Sequence, residues 1–431
     1  MSLELMSLAL VGGLILLLAL GAEVFVAVGV VAAFGLFFFV GQPLGQFAFT
    51  TFESMNSFVL TAVPLFIFMG AILSSTGIIR SLFDAANKWA HVLPGGIIGS
   101  VIAANGLFGA MCGSTVAATA TFGQVSYPEM ERLGYDPRLS LGTLAVAGIL
   151  SAAIPPSATL VVYGAWSNVS VARLFAAVLI PGIILMLLLM VTVVVQVKLN
   201  PKLVPQAPET SWGEKLTAVR DLLPWLGIIA LVLGVIFGGI MTPTESAAGG
   251  VLGSIVLALA YRRMTFTALK QSMRTTVKIT SMVALLMVTA RVLSQVFQYV
   301  GTTALFSEFM LNLPFGKYGI LAVIALIYFV GGMFISDWSM LLLTIPFVLP
   351  VITALGFSPI WFGIWYIMVG EVGLITPPFG LHLFVLHTVI PKHDVMTIAL
   401  GALPFIIPML LTGVAITIFP QIALWLPSIL Y

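Results

Sequence analysis

The chain has 431 residues, 60% of them hydrophobic and 7% charged, with a mean hydropathy of +1.17. A soluble domain carries about 25% charge, so a soluble globular protein is excluded, and apolar runs as long as whole helix spans disfavour a β-barrel. The single cysteine, Cys112, excludes an intrachain disulfide and a multi-cysteine metal site, while a net charge of +2 singles out no partner; membrane lipid is expected around the chain and nucleic acid is not.

Residues 3–40 are almost wholly apolar. As one helix they would span roughly 57 Å, too long for a hydrocarbon core of about 30 Å, so Gly21-Ala22-Glu23 is predicted to divide them. No basic n-region precedes this run, and no cleavable signal peptide is expected. Residues 41–56 are predicted as a polar loop, followed by a span at 57–76. The segment 78–92 sets Ile79, Leu82, Phe83 and Trp89 against Arg80, Asp84 and Lys88, the pattern of an amphipathic interfacial helix ended by Leu93-Pro94-Gly95-Gly96. Two apolar arms then flank a small polar tip, Gly109-Ala110-Met111-Cys112-Gly113-Ser114-Thr115. Arms this short are predicted to form a re-entrant hairpin over 97–127. The next apolar segment is interrupted by Ile154-Pro155-Pro156-Ser157, where a continuous helix would lose backbone hydrogen bonds. A span at 174–197 completes the first half.

Residues 198–221 are the only long polar linker and set the boundary between 1–197 and 222–431. Helices are predicted at 222–240 and 246–260, joined by Met241-Thr242-Pro243-Thr244-Glu245. A basic interfacial segment at 262–278 leads to a span at 279–298, and a second interfacial segment follows at 302–312. A second hairpin, 317–354, carries the tip Gly331-Gly332-Met333-Phe334-Ile335-Ser336-Asp337. An interrupted helix with Thr376-Pro377-Pro378-Phe379-Gly380 and a last span at 395–425 close the chain.

The halves repeat. At an offset of 222 residues, 109–156 aligns with 331–378 without a gap, matching Gly109/Gly331, Met111/Met333, Ser114/Ser336, Pro128/Pro350, Leu133-Gly134/Leu355-Gly356, Pro137/Pro359, Gly148/Gly370 and Pro155-Pro156/Pro377-Pro378. Glu23 pairs with Glu245, and both are assigned to turn stabilisation. Lys and Arg concentrate at 80–88, 132–138, 198–220 and 262–278, and residues 1–79 and 395–431 hold none. The positive-inside rule puts these loops in the cytoplasm and both chain ends in the periplasm, with Arg173 a mild exception. The repeats then run in opposite orientation. The predicted fold is an all-α polytopic membrane protein of two inverted repeats, each with a re-entrant hairpin and an interrupted helix. Such repeats with broken helices mark secondary transporters, whose sites lie at the midplane between the repeats.

Gly-Ala-Met-Cys-Gly-Ser-Thr with Ile-Pro-Pro-Ser, Thr-Pro-Thr-Glu at 242–245, and Gly-Leu-Ile-Thr-Pro-Pro-Phe-Gly at 373–380 resemble the large membrane subunit of tripartite ATP-independent periplasmic (TRAP) transporters. The resemblance covers essentially the whole chain, with four motifs in order. It implies an elevator-type, sodium-coupled importer of an organic acid anion in the bacterial inner membrane. It also implies two partners: a small four-helix membrane subunit, expected as a separate chain, and a periplasmic substrate-binding protein. Cys112 stands where the family tip often carries Ser. An elevator carrier of the divalent-anion/sodium class, working without a binding protein, is the alternative. An intramembrane enzyme or a passive channel fits less well: no catalytic spacing is present, and hairpin tips suit a gated carrier. Dicarboxylates, sialic acid and other sugar acids, and keto acids all remain open as cargo.

At least two sodium ions are expected. Tip one and its break offer Gly109, Gly113, Ser114, Thr115, Ile154 and Pro155; tip two and its break offer Ser336, Asp337, Thr376 and Pro377. Ser and Thr supply hydroxyl oxygens, and unwound backbone supplies carbonyls. Helix capping is the simpler role for Ser114 and Thr115. Asp337 either neutralises an ion or caps a helix, a carboxylate at membrane depth being expensive and usually functional. Ser114, Ser157, Ser336, Gly380 and Arg291 are candidates for the substrate anion, Arg291 alternatively forming a structural pair or snorkelling. Glu371 pairs with a cation or stabilises a break. His382 and His387 suggest proton coupling less than neutral, hydrogen-bonded burial. The tryptophans at 89, 212, 225, 361, 365 and 425 are assigned to an aromatic belt. The absence of a phosphate-binding glycine loop with a Lys argues against drive by ATP.

Overall fold

The computed structural model describes residues 2–41, 44–89, 95–205 and 211–431. The chain is 82% helical, with no strand among the described residues. Among the described residues, six helices are by length and composition able to cross a membrane, or up to eight if two bent pairs each count as one span.

Helices α1 (Leu3–Ala19) and α2 (Val24–Gly35) are divided where predicted, with Gly21 at φ +83°. The predicted polar loop at 41–56 is instead largely helical, forming α3 (Leu44–Met55); residues 42–43 lie outside the described set. Tertiary packing decides this, because α3 lies against a long helix of the second half and Thr50 Oγ1 donates to Gln295 Oε1 at 2.8 Å. Helix α4 (Ala62–Ser75) precedes α5 (Ile79–Asn87), which buries Ile79, Leu82 and Phe83 and exposes Arg80 and Asp84. The Leu93-Pro94 part of its predicted stop lies outside the described residues, as does the centre of the 198–221 linker at 206–210.

Four helices of the first half build one broken-helix unit: α6 (Ile97–Cys112), α7 (Thr115–Arg132), α8 (Pro137–Ala147) and α9 (Leu150–Ala153). Helix α10 (Ala158–Ser167) resumes after the Pro-Pro break at a bend of 42°, and α11 (Val171–Leu199) ends the half. The last part of the predicted linker is helical, because a Ser211/Glu214 capping box starts α12 (Trp212–Phe237) at residue 212. Helix α13 (Pro243–Ala260) starts with a Thr242/Glu245 capping box. The separate interfacial segment and span predicted at 262–298 are one 35-residue helix, α14 (Phe266–Val300). No Gly or Pro interrupts it, so nothing in the backbone stops the helix where hydropathy changes.

Helices α15 (Thr302–Leu311), α16 (Lys317–Gly332), α17 (Asp337–Ala354), α18 (Pro359–Gly370) and α19 (Leu381–Val389) follow. Helices α7 and α17 both run 18 residues and begin 222 residues apart. The Pro155-Pro156 and Pro377-Pro378 bonds are both cis. The predicted last span is α20 (Val395–Ala402) continuing through a 3-10 turn into α21 (Ile406–Ile418); Pro420 then separates α22 (Gln421–Leu430).

Two groups of helices result. In one, α14 packs along α2, α3 and α4, with α13 against α4 and α12 against α13 and α5. In the other, the hairpins and broken helices pack with α11, α20, α21 and α22. The groups meet where α5 touches α6 and α7, where α4 touches α6 and α10, and where α14 touches α17. The aromatic-belt assignment fails for Trp225, Trp361 and Trp365, which are 0%, 1% and 3% exposed. Packing claims these rings: Trp361 and Trp365 stack on each other, and Trp361 Nε1 donates to Ile416 O at 2.8 Å.

Candidate functional site

Tip one is a break in direction between α6 and α7. Gly113 takes φ +60°, a left-handed turn that stops α6, and Ser114 turns extended. Ser114 Oγ accepts from Ala117 N–H at 3.4 Å, so Ser114 does cap α7. Thr115 is the first residue of α7 and is buried. The tip presses on its own half's break. A Cβ at Gly109 would lie 2.7 Å from Ser151 Cα, and one at Gly113 3.2 Å from Ala158 N. Within that break Ile154 is extended, and Ser157 caps α10 by accepting from Leu160 N–H at 3.4 Å. Ser157 is fully buried.

Tip two is built the same way. Ser336 is extended and caps α17, accepting from Ser339 N–H at 3.3 Å, while the two hydroxyls stand 2.9 Å apart. A Cβ at Gly332 would meet Gly370 O at 3.1 Å and Gly373 Cα at 3.2 Å, so this tip rests on the second break. There Thr376 is extended, its hydroxyl donates to Val372 O at 2.7 Å, and Gly380 N–H donates to Met333 O at 3.1 Å. Gly380 takes φ +54° and fastens the break to the tip.

Asp337 ties the halves together. Its Oδ2 accepts from Thr159 Oγ1 at 3.0 Å, and Trp338 Nε1 donates to that same hydroxyl at 2.7 Å. Tyr366 O–H donates to Asp337 O at 2.6 Å. Thr159 belongs to α10 and Asp337 to α17, so the break of one half steadies the tip of the other.

A cavity of about 490 Å³ lies between the tips, and Ser114, Thr115, Ser336 and Asp337 line it with Glu23 and Leu381. Helices α7 and α17 both begin at this cavity. Their capped N-termini direct partial positive charge and N–H groups towards it, a setting suited to an anion. Buried oxygens without partners sit beside both breaks: Ser151 Oγ at the first, and both Glu371 carboxyl oxygens at the second. Such atoms are costly in a dry interior unless something coordinates them, so the donor set fits a small hard cation.

Several predicted residues lie elsewhere. Ser157 and Gly380 shape the breaks and do not line the cavity. Arg291 also stays out of it: its Nη2 donates to Ala165 O and Trp166 O, each at 3.1 Å, and its guanidinium stacks 4.2 Å over the Trp166 ring. Arg291 sits instead against the last turn of α10, where free carbonyls attract a cation. His382 is fully buried with Nδ1 2.9 Å from Ala145 O, and His387 Nδ1 lies 2.8 Å from His393 O. Ser151, Thr159 and Glu23 went unassigned to the site. Ser151 and Thr159 flank the first Pro-Pro pair in sequence, which was the available signal.

The model of the family "Tripartite ATP-independent periplasmic transporter, DctM component" matches residues 11–422. The C4-dicarboxylate TRAP transporter large permease protein DctM of Vibrio cholerae is 30% identical over 436 residues, covering 96% of each chain. The ectoine TRAP transporter large permease protein TeaC of Halomonas elongata is 30% identical over 431 residues, covering 99% of this chain and 100% of that one. The sialic acid TRAP transporter large permease protein SiaM of Vibrio cholerae is 30% identical over 378 residues and 87% of each. Among solved structures, the YdaH transporter of Alcanivorax borkumensis superposes with a TM-score of 0.59 at 17% identity, covering 97% of this chain and 99% of that one. MtrF of Neisseria gonorrhoeae gives 0.54 at 13% identity, covering 91% and 92%; both likenesses concern the fold. On the family match and these relatives, the chain belongs to the DctM family, the large membrane subunit of TRAP transporters.

Proposed function

We propose that this subunit imports an organic acid anion by sodium symport, working with a small four-helix membrane subunit and a periplasmic binding protein. The observation that carries the reading is a cavity lined by both hairpin tips together. One sodium ion is assigned to Gly109, Gly113, Ser114, Thr115, Ile154 and Pro155, with Ser151 Oγ added as an oxygen ligand. The second is assigned to Ser336, Asp337, Thr376 and Pro377. Each ion replaces its water shell with hydroxyl and carbonyl oxygens from a tip and its break, and so holds the tip rigid. The substrate carboxylate then binds between the N-termini of α7 and α17, against Ser114 and Ser336.

In this reading the two repeats are inverted in the membrane. The equal length of α7 and α17 and the repeated tip-on-break packing support the repeat. The hairpin group slides as an elevator against a scaffold of α2, α3, α4, α12, α13 and α14. The termini face the periplasm. The cavity borders Ile279 and Met282, just past the basic start of α14, and this favours an inward-facing state.

The test is uptake of organic acids in proteoliposomes holding the large and small subunits, with and without binding protein and an inward sodium gradient. Uptake that needs both supports the proposal. Uptake that persists without sodium sinks the coupling, and uptake without the binding protein supports a divalent-anion/sodium-type carrier.

A further inference from the structure

Arg291 belongs to the scaffold and grips the hairpin group. It stands on α14, yet its Nη2 donates to Ala165 O and Trp166 O of α10, and its guanidinium lies 4.2 Å over the Trp166 ring. Both carbonyls belong to the last turn of α10, which ends at Ser167, with Asn168 left-handed at φ +55°. The last carbonyls of a helix lack partners within it and carry partial negative charge. A guanidinium placed there supplies the missing donors and meets the helix dipole. At its other end α10 holds Asp337 through Thr159. One short helix thus joins the second tip to the grip of Arg291.

The scaffold offers Arg291 a second partner. Gln295 stands one helical turn beyond Arg291 on α14 and accepts from Thr50 Oγ1 of α3 at 2.8 Å. Glu53 follows Thr50 by three residues on the same side of α3, and its carboxylate attracts Arg291. No ion pair joins the two in this structure. Arg291 therefore has one partner that would leave with a sliding hairpin group and one that would stay with it.

We infer that Arg291 is a two-position latch on the elevator movement: on the α10 carbonyls it holds the hairpin group where this structure has it, and when the group slides away it pairs with Glu53. The inference rests on the proposed sliding of that group and adds the residue that positions it. An unpaired charge at membrane depth is costly. A cation with a partner in each position meets that cost in neither, and the difference between its two partners sets which position is populated.

The test uses the full chain with its small membrane subunit in lipid nanodiscs, without substrate. Spin labels go on Arg138→Cys of α8 and Lys270→Cys of α14, both exposed, in a Cys112→Ser background. Pulsed electron resonance then reads the distance between the two groups of helices. Arg291→Gln and Trp166→Leu are each expected to raise the share of a second, discrete distance at least about 5-fold. Adding Glu53→Gln should reverse that rise in Trp166→Leu, where Arg291 still needs the carboxylate, and leave it unchanged in Arg291→Gln. A merely structural Arg291 would lower the unfolding temperature or broaden the main distance without creating a second one, and that result overturns the latch. An equal effect of Glu53→Gln in both backgrounds, or none in either, overturns the exchange of partners. If every variant keeps one distance, the latch fails, and uptake by protein cross-linked between Ser74→Cys and Thr121→Cys decides separately whether the hairpin group slides at all.

Discussion

Thr159 concentrates more of the site in one hydroxyl than any other residue, donating to Asp337 and accepting from Trp338. Thr159→Val keeps the shape and removes both bonds, leaving a part-buried carboxylate oxygen and a buried indole N–H without that partner. A stability loss of about 1–3 kcal/mol is expected, together with weaker sodium dependence of uptake. An unchanged sodium titration would remove Asp337 from the ion site. Arg291 gives the opposite expectation. Because it stacks on Trp166 and binds α10 carbonyls, Arg291→Gln should lower thermal stability by about 1–2 kcal/mol and leave substrate KM unchanged. A raised KM with intact stability would return Arg291 to the substrate site.

At the scale of elements, caps and breaks explain most helix boundaries. Ser114, Ser157 and Ser336 each accept a backbone N–H at the start of a helix that leads away from a break. Capping and ion binding are compatible, since a hydroxyl oxygen has two lone pairs. The Thr242/Glu245 box makes a direct check. Glu245→Ala should lower the unfolding temperature by removing one side of the capping box, whereas Glu23→Ala should leave that temperature unchanged because its carboxylate caps nothing. Equal destabilisation would mean that Glu23 supports its turn after all. The proline breaks were legible in the sequence because a helix cannot run through adjacent prolines without losing hydrogen bonds. The continuity of α14 was not, because polarity changes along it while its backbone does not.

At the scale of the whole molecule, the elevator proposal requires the hairpin group to move past the scaffold. Ser74 of α4 and Thr121 of α7 meet across that boundary with their hydroxyls 3.0 Å apart, so cysteines at these positions would bring their sulfurs together. In a Cys112→Ser background, Ser74→Cys with Thr121→Cys should cross-link on oxidation, abolish uptake, and recover it on reduction. Full uptake by a quantitatively cross-linked protein would rule out sliding of hairpin one along α4.

Certain properties follow from local chemistry and are therefore legible in the chain alone. Low charge and long apolar runs dictate a membrane helix bundle, Gly113 and the Pro-Pro pairs dictate where helices break, and the 222-residue offset pairs the breaks. Other properties depend on what lies opposite in space. Packing against α14 turned the predicted 41–56 loop into α3, and burial drew Trp361 and Trp365 from a supposed belt into the core. Arg291 was captured by carbonyls 125 and 126 residues away in sequence, and Glu23 came to face both hairpin tips. A side chain's type is written locally, but its partner is chosen by the tertiary fold, and for charged groups the partner decides the role.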